Sequence, residues 1–261
     1  MWALAFVLCA RAATAQSPAP APATDPNPGG DAQFMPRASF HLTAEHLSGD
    51  DPAYVWDANF GGEFDIVDYG DGRATFVANY QAILGEQIRR FDPNQGNYIL
   101  AGSASLRHSS GYEIAIVFHH ESRHLSDRAT RIAIAWNMAG GRIGRTWVVG
   151  PRRTEMRVDL RKTLARAFVD YTWELDSAVR NDVQVHPHVR FFGAGGLRRL
   201  WVDGNQNRGA QTGYRIEGGV HLTGIVGGME FFLANERRVD PYPLAFGTVN
   251  WVTAGFRLLS R

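Results

Sequence analysis

The sequence predicts an all-β protein, an antiparallel up-and-down transmembrane β-barrel of about twelve to fourteen strands. Three observations carry this. Apolar and polar residues alternate with a period of two in segment after segment, a pattern no amphipathic helix produces. Many of these segments run to roughly ten residues, against five or six for the average strand of a soluble protein. Short glycine-rich connections alternate with longer polar ones, the asymmetry of a barrel whose short turns lie on the periplasmic side. A soluble sandwich shares the alternation, but strand length, loop rhythm and aromatic residues near the stripe ends (Tyr54, Trp56, Tyr98, Tyr112, Tyr214) favour the membrane wall.

The chain opens on a short apolar run, Trp2 to Ala10, too short to span a bilayer as a helix. Ala13-Thr14-Ala15 follows, so residues 1–15 are expected to be a signal peptide cut before Gln16. The single cysteine, Cys9, leaves with it, and a thiol-free mature chain suits export. Residues 16–36, rich in Pro and Ala, are expected to be a disordered linker, with the barrel occupying 37–261.

In the barrel region, Trp56, Ala58, Phe60, Phe64 and Ile66 oppose Asp57, Asn59, Glu63 and Asp65. The pattern returns in Ala74 to Leu84, in Tyr98 to Leu106, and in Met156, Val158 and Leu160 against Glu155, Arg157 and Asp159. It continues with Val169, Tyr171, Trp173 and Leu175 against Asp170, Thr172, Glu174 and Asp176, then through Tyr214 to Leu222 and Val252 to Leu258. Tight connections are expected at 69–72, 109–111, 139–141, 193–196 and 223–224, and longer ones at 48–52, 91–96, 203–213 and 235–243. This rhythm gives about fourteen strands, or about twelve if the Arg142 to Leu160 region pairs differently.

The 27 basic and 26 acidic residues are mixed along the chain and leave a formal charge of +1, which supplies no field for nucleic acid. No cofactor is expected. The inward face carries both signs, among them Glu45, Asp57, Arg73, Glu113, Asp159, Arg161, Glu174 and Arg215. Such residues either line a water-filled pore for a small polar solute or cross-link into a plug of ion pairs. His186-Pro187-His188 places two imidazoles on one face, a spacing that can chelate a metal given a third ligand.

The stretch GYEIAIVFHHESRHLSD, residues 111–127, ends in a polar cluster. Its outward face runs Tyr112, Ile114, Ile116, Phe118, His120, Ser122, His124, and its inward face Glu113, Ala115, Val117, His119, Glu121, Arg123. A tilted strand crosses the hydrocarbon in about 9 to 11 residues, so it emerges at His120 to Ser122. His120, Ser122 and Asp127 are the candidate catalytic residues, and His119, Glu121, Arg123 and His124 the candidate binding residues. The outward residues of the next strand, Ile132, Ile134 and Trp136, are apolar and offer the imidazole no partner. A metal held by His120, His124 and Asp127 requires a local turn, because residues four apart diverge in an extended strand. The other reading is purely structural, with the cluster knitting the strand to the rim loops.

Over residues 37–261 the pattern resembles bacterial outer-membrane β-barrel proteins, although here the last aromatic is Phe256, followed by Arg257-Leu258-Leu259-Ser260-Arg261. His120-Glu121-Ser122-Arg123-His124-Leu125-Ser126-Asp127-Arg128 resembles the motif H-x-S-S-H-L-G-D-E of a poorly characterised outer-membrane family, matching at the two His, the first Ser, Leu and Asp. The His120-x-Ser122 pair is also similar to that of the lipid A deacylase barrels, which implies acyl transfer on the lipid-facing wall. These resemblances imply a bacterial outer-membrane location, contact with outer-membrane lipids and insertion by the barrel assembly machinery. The expected function is a structural or small-solute channel barrel with a polar rim, or alternatively a membrane-embedded lipid hydrolase.

Overall fold

The computed structural model describes residues 30–125, 132–242, 244 and 246–260. The expected signal peptide, most of the linker, Asp127 and the neighbouring motif positions Ser126 and Arg128, which depart from the motif, lie outside the described residues. Twelve strands close into one barrel: β1 (Gln33–Leu47), β2 (Trp56–Asp68), β3 (Arg73–Gly85), β4 (Asp92–Arg107), β5 (Tyr112–His124) and β6 (Ile134–Val149), then β7 (Arg152–Ala167), β8 (Tyr171–His186), β9 (Val189–Val202), β10 (Gln211–Thr223), β11 (Gly227–Val239) and β12 (Thr248–Ser260). Every strand pairs antiparallel with its sequence neighbours, and β1 closes the ring on β12. β1 begins at Gln33, inside the segment expected to be linker.

Connections at 69–72, 108–111, 150–151, 187–188 and 224–226 gather at one end with the start of β1 and the end of β12. The connections 48–55, 86–91, 125–133, 168–170, 203–210 and 240–247 gather at the other. The strands are strongly tilted. Hydrogen-bonded partners lead from Arg37 at the short-turn end through Asp65, Thr75, Ser103, Val117, Gly140, Arg161, Glu174 and Leu200 to Gln211 at the long-loop end of β10. Staying at one height while moving from β1 toward β12 therefore requires stepping about one residue per strand toward the short-turn end.

Two of the expected turns are continuous strand. Gly140 lies within β6, where a Cβ would stand 1.9 Å from the Leu160 carbonyl oxygen, so glycine there admits a close approach of β7. The Gly193 to Gly196 stretch is likewise continuous strand in β9. The reversals fall instead at Gly150-Pro151, where Gly150 takes φ 57°, and at Pro187, the positions where proline cannot join a ladder. The two imidazoles of His186 and His188 consequently sit exposed on a turn, ring centroids 5.8 Å apart, instead of on the lumen wall.

Two further phases differ from the sequence expectation. Thr172 is bulged out of the β8–β9 ladder, which turns Tyr171 into the barrel while Trp173 stays outward. Ile134, Trp136 and Met138 of β6 are buried inside the barrel, where they pack with Val169, Tyr171, Leu200 and Val239 in an apolar layer. A second layer, Leu47, Ala53, Tyr54, Ile83 and Trp251, completes the filling of the long-loop half of the lumen. Outside, apolar side chains such as Phe60, Ile116, Phe231 and Val252 are exposed along the wall, the kind of surface that faces lipid in membrane barrels.

Candidate functional site

β5 delivers the candidate cluster to both sides of the wall, since successive side chains of a strand point to opposite faces. His120, Ser122 and His124 face outward, and His119, Glu121 and Arg123 face the lumen. On the outer face, His120 is the register partner of Leu100 on β4 and Asn137 on β6. Its Nδ1 lies 2.8 Å from Asn137 Oδ1. An amide oxygen only accepts, so this bond fixes the proton on Nδ1 and leaves Nε2 with its lone pair. Ser122 follows two residues along the same face, between Tyr98 on β4 and Ala135 on β6. The His124 ring stands edge-on to Tyr98, centroids 5.2 Å apart, at the rim.

Asn137 is the partner that the sequence reading lacked. Ile134 and Trp136 are apolar because they fill the lumen, and once they turn inward Ala135 and Asn137 turn outward. The signal available in the sequence was Asn137 itself, an amide next to a tryptophan within an otherwise apolar run.

Inside, the candidate binding residues belong to a web of ion pairs. Glu121 meets Arg123 at 3.0 Å and Arg198 at 3.5 Å, Arg198 meets Glu174 at 2.8 Å, and Glu174 also holds Arg161. Arg161 donates to His119 Nδ1 at 3.3 Å and reaches Asp176 at 3.4 Å. Elsewhere Arg215 bridges Glu45 at 2.8 Å, and Arg180 bridges Glu230 at 2.7 Å. Of these contacts, Glu121–Arg198, His119–Arg161, Glu45–Arg215 and Arg180–Glu230 join strands that are not neighbours in the wall. The space left below them is a cavity of about 680 Å³, which extends past Arg37, Arg73, Glu113 and Arg142 to the turn residues Ser109 and Gly111.

At the opposite end three of the longer connections, 168–170, 203–210 and 240–247, are tied together. Arg208 contacts Asp170 Oδ2 at 2.8 Å and Asp240 Oδ1 at 2.7 Å, and the Tyr171 hydroxyl donates to Asp240. Burial disfavours the Arg208 cation, but the two carboxylates more than reverse this and hold its pKa above the ordinary arginine value. Among the described residues no group of three or more His, Cys, Asp or Glu side chains is placed to hold a metal ion.

No family model and no curated protein matches the chain. Solved structures do. The chain is similar to the outer membrane phospholipase A of Salmonella typhi, a dimer with bound calcium, at 10% identity and a TM-score of 0.52, over 87% of this chain and 92% of that one. It is similar to outer membrane phospholipase A from Escherichia coli in a form whose active-site asparagine is replaced by alanine, at 10% identity and 0.51, over 87% and 91%. LpxR from Salmonella typhimurium matches at 10% identity and 0.50, over 85% and 99%. At such identities the likeness is one of fold, and it agrees with the geometry: a closed twelve-stranded barrel of the kind found among outer-membrane proteins.

Proposed function

We propose that this protein is a lipid acyl hydrolase of the outer membrane that works on its lipid-facing wall, with Ser122 as nucleophile, His120 as general base and Asn137 as the residue that positions the imidazole. The observation that carries the reading is the 2.8 Å contact between His120 Nδ1 and Asn137 Oδ1. It leaves Nε2 free to act as a base on the strand face that also carries Ser122 two residues on, the pairing of residue types that serine acyl transfer uses. The phospholipase whose active-site asparagine was replaced supports assigning Asn137 the third place. The filled long-loop half of the lumen favours an activity on the outer wall over passage of solutes through the middle.

In the reaction, His120 Nε2 takes the Ser122 Oγ proton while Oγ bonds to the carbonyl carbon of a lipid ester. The carbon–oxygen ester bond breaks, the imidazolium returns its proton to the leaving alkoxide, and the lyso-lipid departs. Water then repeats the exchange on the acyl-serine and releases a fatty acid. Asn137 holds the Nδ1–H throughout, so the ring stays in the tautomer and orientation the two transfers need.

The test is hydrolysis of phosphatidylcholine in mixed micelles by refolded protein, together with labelling by a fluorophosphonate located by mass spectrometry. Turnover abolished in Ser122→Ala and His120→Ala, with the label on Ser122, is expected. A folded wild type, verified by heat-modifiable gel mobility, that neither turns over nor takes the label overturns the proposal.

A further inference from the structure

The outer wall sorts its charges. Among the described residues every strand carboxylate turns inward, and the outward-facing cations of the strands lie only toward the two ends. Arg145 and Arg152 stand at the short-turn end. Lys162, Arg199 and Arg237 stand toward the long-loop end, on β7, β9 and β11. Lys162 is the only lysine of the chain.

These three lie at one height. The partner of Lys162 is Trp173 on β8, whose partner on β9 is Trp201, two residues above Arg199. Arg199 pairs with Thr212 on β10, and Arg237 pairs with Tyr214, again two residues toward the short-turn end. One residue of descent per strand is what the tilt demands for a level row, so the cations form a line spaced by two strands, roughly 10 to 13 Å. Trp173, Trp201 and Tyr214 interleave with them, side chains that settle where headgroups meet acyl chains.

Among the described residues none of the three is paired with a carboxylate. The Lys162 ammonium lies 5.8 Å from the centroid of Trp173, Arg199 donates to the Thr212 hydroxyl, and Arg237 reaches the Thr248 hydroxyl at 3.4 Å. Arg166, close by, already holds Asp203. On the opposite side, the described residues of strands β1 to β5 present Trp56, Tyr80 and Tyr98 toward this end and no outward arginine or lysine. Cations are costly on a lipid-facing wall unless anionic headgroups meet them.

We propose that the β7–β11 face binds a bis-phosphorylated glycolipid of the adjoining leaflet, with neighbouring cations of the row each taking one of its phosphates. A lipid bearing two separated phosphates on one rigid headgroup fits cations two strands apart, where a single-phosphate lipid engages one at a time. The inference needs a membrane around the barrel and does not depend on Ser122 being a nucleophile.

The experiment refolds the full chain into phosphatidylcholine nanodiscs doped with bis-phosphorylated lipid A, its phosphate-free form or phosphatidylglycerol, and counts retained lipid by native mass spectrometry. Selective retention of the bis-phosphorylated form is expected. It should fall about fivefold for each cation replaced by glutamine and on the order of a hundredfold in Lys162→Gln/Arg199→Gln/Arg237→Gln, with Arg145→Gln/Arg152→Gln unchanged. As a measurement on wild type alone, acetylation of Lys162 by an amine reagent should slow when that lipid is present. Equal retention of the phosphate-free form or of phosphatidylglycerol, full retention by the folded triple variant, or unprotected Lys162 overturns the proposal.

Discussion

Replacing Asn137 by alanine removes one acceptor from the outer wall and, on the proposed chemistry, should lower turnover by a calculable amount. In the resting protein the 2.8 Å contact is a neutral hydrogen bond, worth about 1 kcal/mol. When His120 accepts the serine proton, the same Nδ1–H belongs to an imidazolium, and the bond becomes charge-assisted, worth about 1.5 to 3 kcal/mol. The free ring also populates the tautomer with its lone pair on Nδ1, which has no proton to take from Ser122. Together these losses amount to roughly 1.5 to 3 kcal/mol of barrier, a fall in kcat of about 10- to 150-fold. KM should move little, because the contact strengthens only as charge develops. Asn137→Asp keeps an acceptor at the same place and should stay within about fivefold of wild type. The assay is fatty-acid release from mixed micelles, normalised to the heat-modifiable fraction. An Asn137→Ala protein whose kcat lies within twofold of wild type, while Ser122→Ala is inactive, would refute the assignment.

The interior and the wall give further expectations. Glu174, almost fully buried, neutralises both Arg161 and Arg198, so Glu174→Gln leaves Arg161 only the longer carboxylate contact to Asp176 and Arg198 only that to Glu121, and should cost about 3 kcal/mol of stability. A lower urea midpoint with unchanged turnover per folded molecule is the expected reading; an unchanged midpoint would show that the pairs are held by other carboxylates. Gly140→Val places a side chain against the Leu160 carbonyl oxygen at 1.9 Å and Arg161 Cα at 2.7 Å, both backbone and unable to move aside. The folded fraction on gels should collapse, whereas Gly193→Ala, with nothing within 4 Å of the added carbon, should fold as wild type.

The barrel was legible because period-two alternation encodes two faces directly, and most carboxylates and arginines read as inward do face the lumen. The strand count was harder, since glycine serves both a turn and a tight strand contact. Gly140 and Gly150 look alike in composition, and only the proline after Gly150 tells them apart. Apolarity misled in one place for a related reason. Ile134 and Trp136 read as lipid-facing, but the long-loop half of this lumen is apolar, and hydrophobicity does not say which low-dielectric phase a side chain enters. That single phase error hid Asn137, so the cluster looked like a His-x-Ser pair without a third member. His120 and Ser122 themselves stand on the outer face where the alternation put them, while Asp127 falls outside the described residues.

The ion pairs that cross the lumen also bear on how such a protein comes apart. A wall stitched only between neighbours can be drawn out of a membrane hairpin by hairpin, each step freeing one pair of strands. Here Glu45 at one end of the chain is held by Arg215 on β10, Glu121 on β5 by Arg198 on β9, and Arg180 on β8 by Glu230 on β11. These are chords of a circle rather than links along its rim. Pulling on β1 therefore loads β10 before β2 has moved, and force applied at either terminus is shared around the ring, so mechanical extraction should proceed in few large steps instead of many small ones.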